Sequence, residues 1–393
     1  MGSSAAYACK KAHIPFLLIE SNHSVITSSW GESRILRLSY GDPLYVRMMQ
    51  RSYVLWRDLE KDAEKSLLQR KPVLSIFDHR DSGSMETMRD QMNAFGSTST
   101  PFDILRDASQ LNVQLNADEV GLLQQDGACI MATEALSSLR DLVSDNMVED
   151  RIVRIDVQRK IVVGESGSEY PYDKLVLCAG AWTNKILRNS NLSELPYVAS
   201  LEQFVYYDFF PQYSRMGNIP IILEGFKYKN GRIGGAYVMP HIEDGVPGVK
   251  MGMHCNGRII SSDDFVVPES VKLERLPNER IGKDMFLNDI VTDLDTYMEH
   301  FARRFVRGHL PTVDSSKVSS YGRCIYQACT LQDGRFLIGL HPENPDIVIA
   351  CGFTGEGFKF APVIGEFVVA EVTKSSSQPV FADMRNAFRL DRV

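Results

Sequence analysis

The sequence predicts a mixed α/β fold of two domains, one a dinucleotide-binding unit and the other built on an antiparallel sheet. Three observations predict it. Residues 2–12 read as a helix of small residues, and Phe16-Leu17-Leu18-Ile19 then reads as a buried parallel strand ending in Glu20. That is the second half of a βαβ unit. Two more apolar runs, Lys174–Cys178 and Ile347–Ala350, end in small or glycine-rich turns, as strands do where backbone must approach a flat or phosphorylated ligand. The middle of the chain carries strand-like segments at 203–208, 220–223, 232–239 and 247–255. The interleaving assigns 1–70, 127–195 and 318–393 to the first domain, and 71–126 and 196–317 to the second.

Each element has its own local reason. Gly2 stands where the last glycine of a GxGxxG loop would stand, and Glu20 where an acid would hydrogen-bond a ribose. The opening strand and the first two glycines of such a unit do not precede Gly2, so the domain is expected to be N-terminally truncated, with weak cofactor binding and poor solubility. In Gly31-Glu32-Ser33-Arg34-Ile35-Leu36-Arg37, two arginines three apart would share a helical face. Residues 44–70 have helical period, with Tyr45, Met48, Met49, Tyr53, Trp56 and Leu59 on one side. Residues 71–126 mix short strands and amphipathic helices. Ala132–Val143 predicts a helix, Ile152–Ile155 and Lys160–Val163 two short strands, and 282–307 a long helix. Pro362 caps a helix start after the final glycines.

Bulk properties narrow the function classes. The chain has 393 residues, 44% of them apolar, and a net charge of −7 with no polybasic run, which argues against a nucleic-acid partner. Its seven cysteines are scattered, with no CxxC pair and no zinc spacing, so a reducing compartment fits and no metal site is predicted. No stretch approaches the ~20 apolar residues of a membrane span, and no secretory leader pattern opens the chain.

Four constellations could carry chemistry. Arg34 and Arg37 could fix a carboxylate, against the plain reading of a solvated face paired with Glu32 or Asp42. Lys250, Gly252 and His254 share one side of a strand, which frames a flat gap between an ammonium and an imidazole; a polar outer face is the alternative. Cys324 and Tyr326 share a strand face, although a lone cysteine is more often a buried small hydrophobe. Lys359 sits in Gly352-Phe353-Thr354-Gly355-Glu356-Gly357-Phe358-Lys359-Phe360, where a lysine binds an anion or is simply solvated. Gly180-Ala181-Trp182 could let a cofactor edge pack close, or could be a tight turn.

Taken together, these residues resemble the monomeric sarcosine oxidase family, which includes N-methyltryptophan oxidase and the peroxisomal sarcosine and pipecolate oxidases of eukaryotes. The resemblance runs over essentially the whole chain. It implies a Rossmann-like FAD-binding domain with an antiparallel-sheet substrate domain, and FAD joined by a thioether to Cys324. It implies that Arg37 and Lys359 hold a substrate carboxylate, and that Tyr237, Tyr326 and His254 line the cavity. Lys250 matches the lysine of oxygen activation, and Arg34 the arginine near the flavin's opposite face. Gly2, Glu20, Trp182, Gly355, Gly357 and Phe358 fall among the cofactor contacts. The implied reaction oxidises a secondary amino acid to an imine and reduces oxygen to hydrogen peroxide, in a monomer.

Two residues depart from the family's pattern. Trp30 replaces a common histidine, and Glu356 puts a negative charge where the family often has a neutral or basic residue. The C-terminal Asp391-Arg392-Val393 is no peroxisomal tripeptide, so peroxisomal residence rests on analogy, with the cytoplasm otherwise expected. A member passing electrons to an acceptor other than oxygen, or an impaired remnant acting as a binding protein, are the competing readings. Retention of so many charged groups in one cavity disfavours the remnant, because buried unpaired charge is costly.

Overall fold

The computed structural model describes all residues except 22–26, 30, 79–81, 95–101, 214–218, 228–232, 241, 243–247, 255–256, 261–302, 304, 376–377 and 393. Trp30 and most of the helix expected at 282–307 therefore lie outside the described residues.

The parallel pairings of the dinucleotide-binding type occur in two pieces. Leu18–Glu20 pairs in parallel with Met147–Glu149. Leu175–Leu177 pairs in parallel with Asn344–Cys351, whose other edge carries Leu337–His341 antiparallel. Gly2–Lys11 begins beside both pieces, since Gly2 lies against Leu18 and Cys178. The same helix packs on Ala361–Thr373, where the Ser4 hydroxyl donates to the Ala361 carbonyl at 2.7 Å. That second helix begins with proline at its first turn, as the Pro362 signal predicts.

Pro43–Ala63 is the central helix of this half. Asp42 caps it by accepting from the Leu44 N–H at 2.8 Å. Its buried side, Met48, Met49, Trp56 and Leu59, packs with Phe336, Phe360, Phe367 and Phe388. The expected helix over 44–70 ends sooner, at Ala63, with Glu64 left-handed. Glu60 turns its carboxylate onto the Leu67 and Leu68 N–H groups, which frees Leu68–Arg70 to join a sheet with Ala128–Met131.

The larger sheet has nine strands among the described residues and is mostly antiparallel. Its spine is the long ribbon Tyr197–Phe209 against Val313–Cys329. Val249–Met253 lies on the other edge of Tyr197–Phe209, followed by Ile233–Met239, Ile221–Lys227, Val73–Asp78, Glu119–Gln124 and Asp103–Leu105. A core of Leu74, Val205, Tyr207, Ile222, Val238 and Met251 holds one side together. Alternation along a strand sends every second side chain the other way, so Lys250, Cys324 and Tyr326 are carried by the same sheet as that core.

Candidate active site

Arg34 and Arg37 correct an expectation. They do not share a helix: Ser33–Leu36 is a strand paired with Ala128–Met131, Arg34 opposite Ile130. Strand alternation separates positions three apart, and the two guanidiniums go to different partners. Arg34 donates to the Ser33 and Ser28 carbonyls at 2.8 and 2.9 Å and lies 5.4 Å from the Phe358 ring. Arg37 stacks 4.0 Å from the Tyr40 ring, donates to the Ser39 carbonyl, and reaches Glu356 at 3.4 Å.

The first cluster forms around Cys324. The thiol is buried with Phe204, Tyr206 and Tyr326. Burial pushes it up to about 11, while Arg34 and Lys250 pull the other way. Lys250 is 4% exposed, its ammonium 4.0 Å from the Phe204 ring. Burial pushes it down to about 7, and Arg34 adds to the fall. Tyr237 belongs here too, half-buried, its phenol raised by burial and then by Cys324. Gly252 was expected to leave a gap between Lys250 and His254. That space holds the Tyr237 hydroxyl, and a β-carbon at 252 would overlap it.

The second cluster is a cationic clamp. Lys359 sits in the short helix Gly357–Phe360, buried, with its ammonium 4.0 Å from Glu356 Oε1 and 5.8 Å from the Tyr40 ring. Burial lowers it to about 8 against the pull of Glu356. Two donors from the central helix fix its backbone: Ser52 Oγ at 2.6 Å and Trp56 Nε1 at 2.9 Å, both to the Lys359 carbonyl. Phe358 stacks on Trp56 at 6.2 Å. His254 lies 6.2 Å from the Tyr326 ring, and burial foremost lowers its imidazole. Gly355 has φ +74°, and a β-carbon there would overlap the Tyr326 ring, so glycine is required where the loop crosses that tyrosine.

The fold thus brings together Arg34, Lys250, Cys324, Tyr237 and Tyr326, and beside them Arg37, Lys359 and His254, with Lys359 close enough to feel Arg34. Gly2 and Glu20 belong to a separate corner, where Glu20 pairs with Arg140 at 3.1 Å. Trp182 packs beside Ala181, Ala199, Leu201 and Ile325. Three contributors were missed: Tyr40, which carries both clamp cations on its ring, and Ser52 and Trp56. Only the period that put Trp56 on the buried side of a helix pointed toward them. Glu356, a departure expected to work against an anionic ligand, faces the two cations. A buried amide, Gln327 Nε2, has no partner among the described residues and lies beside Gly180, while its Oε1 accepts from the Gly352 N–H at 3.0 Å. Outside this region Glu119, Glu224 and His309 converge within 4.8 Å. Both Glu119 oxygens there accept from Asn116, and His309 lies 3.1 Å away.

The chain is similar to known proteins over most of its length. The family described as FAD dependent oxidoreductase matches residues 1–371. Human peroxisomal sarcosine oxidase is 26% identical over 93% of this chain and 88% of its own length. Monomeric sarcosine oxidase of Arthrobacter is 25% identical, and N-methyl-L-tryptophan oxidase of Escherichia coli 24%, at 93% of this chain and 88% and 90% of theirs. Among solved structures, NikD, an unusual amino acid oxidase essential for nikkomycin biosynthesis, superposes with a TM-score of 0.72 at 19% identity, over 100% of this chain and 95% of that one. Iminodiacetate oxidase from Chelativorans superposes at 0.70 and 17%, over 100% and 97%; both likenesses are of fold. With its parallel pieces, its antiparallel sheet and the match over nearly all its length, the chain belongs to the FAD-dependent oxidoreductase family and resembles the sarcosine oxidases within it.

Proposed function

We propose that the protein oxidises the carbon–nitrogen bond of a secondary amino acid, N-methyl or cyclic, such as sarcosine or pipecolate, with oxygen reduced to hydrogen peroxide. The observation that carries this reading is the meeting of two buried cationic clusters, Arg34 with Lys250 around Cys324, and Arg37 with Lys359 around Tyr40. Bound FAD would supply the two-electron redox chemistry between the substrate and oxygen. The residues present fit that group. Positive charge is concentrated around Cys324 and Tyr40, which would stabilise the negative charge a reduced cofactor and reduced oxygen gain, and the unpartnered Gln327 amide lies beside the Gly180 turn.

In this reading Cys324 Sγ would hold the cofactor through a thioether, and Lys250 would keep positive charge where oxygen is reduced. Arg34, over Phe358, would add positive charge beside the cofactor. Arg37 and Lys359 orient the substrate's acid end, which supplies proximity. Tyr237, Tyr326 and His254 shape the cavity. Gly2, Glu20, Trp182, Gly355, Gly357 and Phe358 would make cofactor contacts. The amine substrate leaves as an imine, which water hydrolyses. The names of the relatives support a monomer acting on a small molecule.

The test is an absorption spectrum before and after acid precipitation. Yellow colour that stays in the precipitate, and moves to the supernatant in Cys324→Ser, is the expected result. Colour in the supernatant of the unaltered protein rules out the thioether. A colourless preparation that gains no flavin on addition of FAD sinks the reading.

A further inference from the structure

We infer that Glu356 is a specificity-determining residue: its carboxylate fills the clamp of Arg37 and Lys359, so the site prefers N-substituted amino-acid residues whose carboxyl is neutral, as an amide or a peptide, over free amino acids. This rests on the proposed amine oxidation, keeps its carbon–nitrogen chemistry and puts the amides in place of the free amino acids named there, with Arg37 and Lys359 on the amide carbonyl.

One oxygen of Glu356 faces both cations, 3.4 Å from Arg37 Nη2 and 4.0 Å from Lys359 Nζ. Burial would raise this acid, yet Lys359 and then Arg37 and His254 hold it below its ordinary value. Its backbone is pinned, with the Glu356 N–H donating to the Phe353 carbonyl at 2.8 Å between Gly355 and Gly357. An acid there is in the position a bound carboxylate would take, and it belongs to the protein.

The approach to the clamp gives a second carboxylate no better place. A cleft of about 390 Å³ opens onto Arg37 and Glu356, and its other charged walls are Asp42, Asp333 and Arg335. Arg335 is engaged by Asp42 at 2.7 Å, and Arg37 also donates to the Ser39 carbonyl. Arg392 holds Asp333 at 3.0 Å, so every acid and arginine at this mouth already has an opposite charge beside it. A free amino acid would bring its carboxylate beside Glu356, like charge against like. A primary amide fits without that conflict. Its N–H can donate to Glu356, and its carbonyl can accept from Arg37 or Lys359.

The experiment compares acetate with acetamide as binding probes, by calorimetry on the holoenzyme and on Glu356→Gln. Acetamide is expected to bind the unaltered protein more tightly than acetate, and Glu356→Gln to tighten acetate by about tenfold or more. Acetate binding the unaltered protein as tightly as the variant overturns the inference. The unaltered protein decides the matter alone if the variant does not fold, because acetate outcompeting acetamide there also overturns it. Turnover of sarcosine and sarcosinamide is measured in parallel. Preference for the amide, reversed in Glu356→Gln, agrees with the inference. Turnover of neither compound, alongside the expected probe binding, counts against the oxidase reading and leaves the assignment of Glu356 standing.

Discussion

Lys250 is the residue on which the oxygen reaction is expected to turn. It is buried, it has an aromatic ring as its near contact, and burial with Arg34 lowers it to about 7. Its positive charge is therefore present below that pH and fades above it. Rapid mixing of the reduced enzyme with oxygen should show a rate that falls as pH rises through about 7. Lys250→Met should slow that step about a hundredfold, as loss of one preorganised charge does elsewhere, and remove the pH dependence. Reduction by substrate should change far less. A variant that slows both steps equally would move Lys250 out of this role.

At the scale of elements, the Pro43–Ala63 helix governs the clamp. Ser52 and Trp56 grip the Lys359 carbonyl from one helix face. Trp56→Phe keeps most of the packing and loses one bond, so urea unfolding should show a loss of about 1 kcal/mol. An unchanged midpoint would mean that the indole bond contributes nothing. Much at this scale was legible in the sequence. Ala132–Val143 folds as its apolar period predicts, and the final apolar run does form a strand leading into the glycine loop. What could not be read was long-range. Arg34 and Arg37 have helical spacing, and only pairing with Ala128–Met131, distant in sequence, makes their segment a strand. The same limit hid Tyr40, whose role as a platform depends on Lys359 arriving from the other end of the chain. Glu356 was visible as an oddity, but the two cations it faces are set by folding and could not be read beside it.

For the molecule as a whole, buried titratable groups set the pH of greatest stability. Lys250 and Lys359, lowered to about 7 and about 8, have released protons that the unfolded chain still holds up to about pH 10. Stability should therefore rise with pH from about 7 upward. Buried thiols act oppositely. Cys129 is raised to about 12, and Cys178 and Cys324 to about 11, with Cys351 also raised. Above about pH 8.5 the unfolded chain loses those protons first, and stability should fall. Urea midpoints of the reduced protein, taken from about pH 6 to about pH 10, should peak near pH 8 to 8.5. A peak below pH 7 would show that the lysines are not titrating as their burial requires. The ribbon that carries Cys324 has a further consequence, in time rather than energy. Glu202 stands opposite Cys324 across strands far apart in the chain, and such pairings close late because the loop between them must first be ordered. The cysteine, its arginine and its lysine come from three distant segments, so they meet only once the ribbon has zipped. Attachment of a cofactor at Cys324 would then be an event of the folded protein, following assembly rather than guiding it.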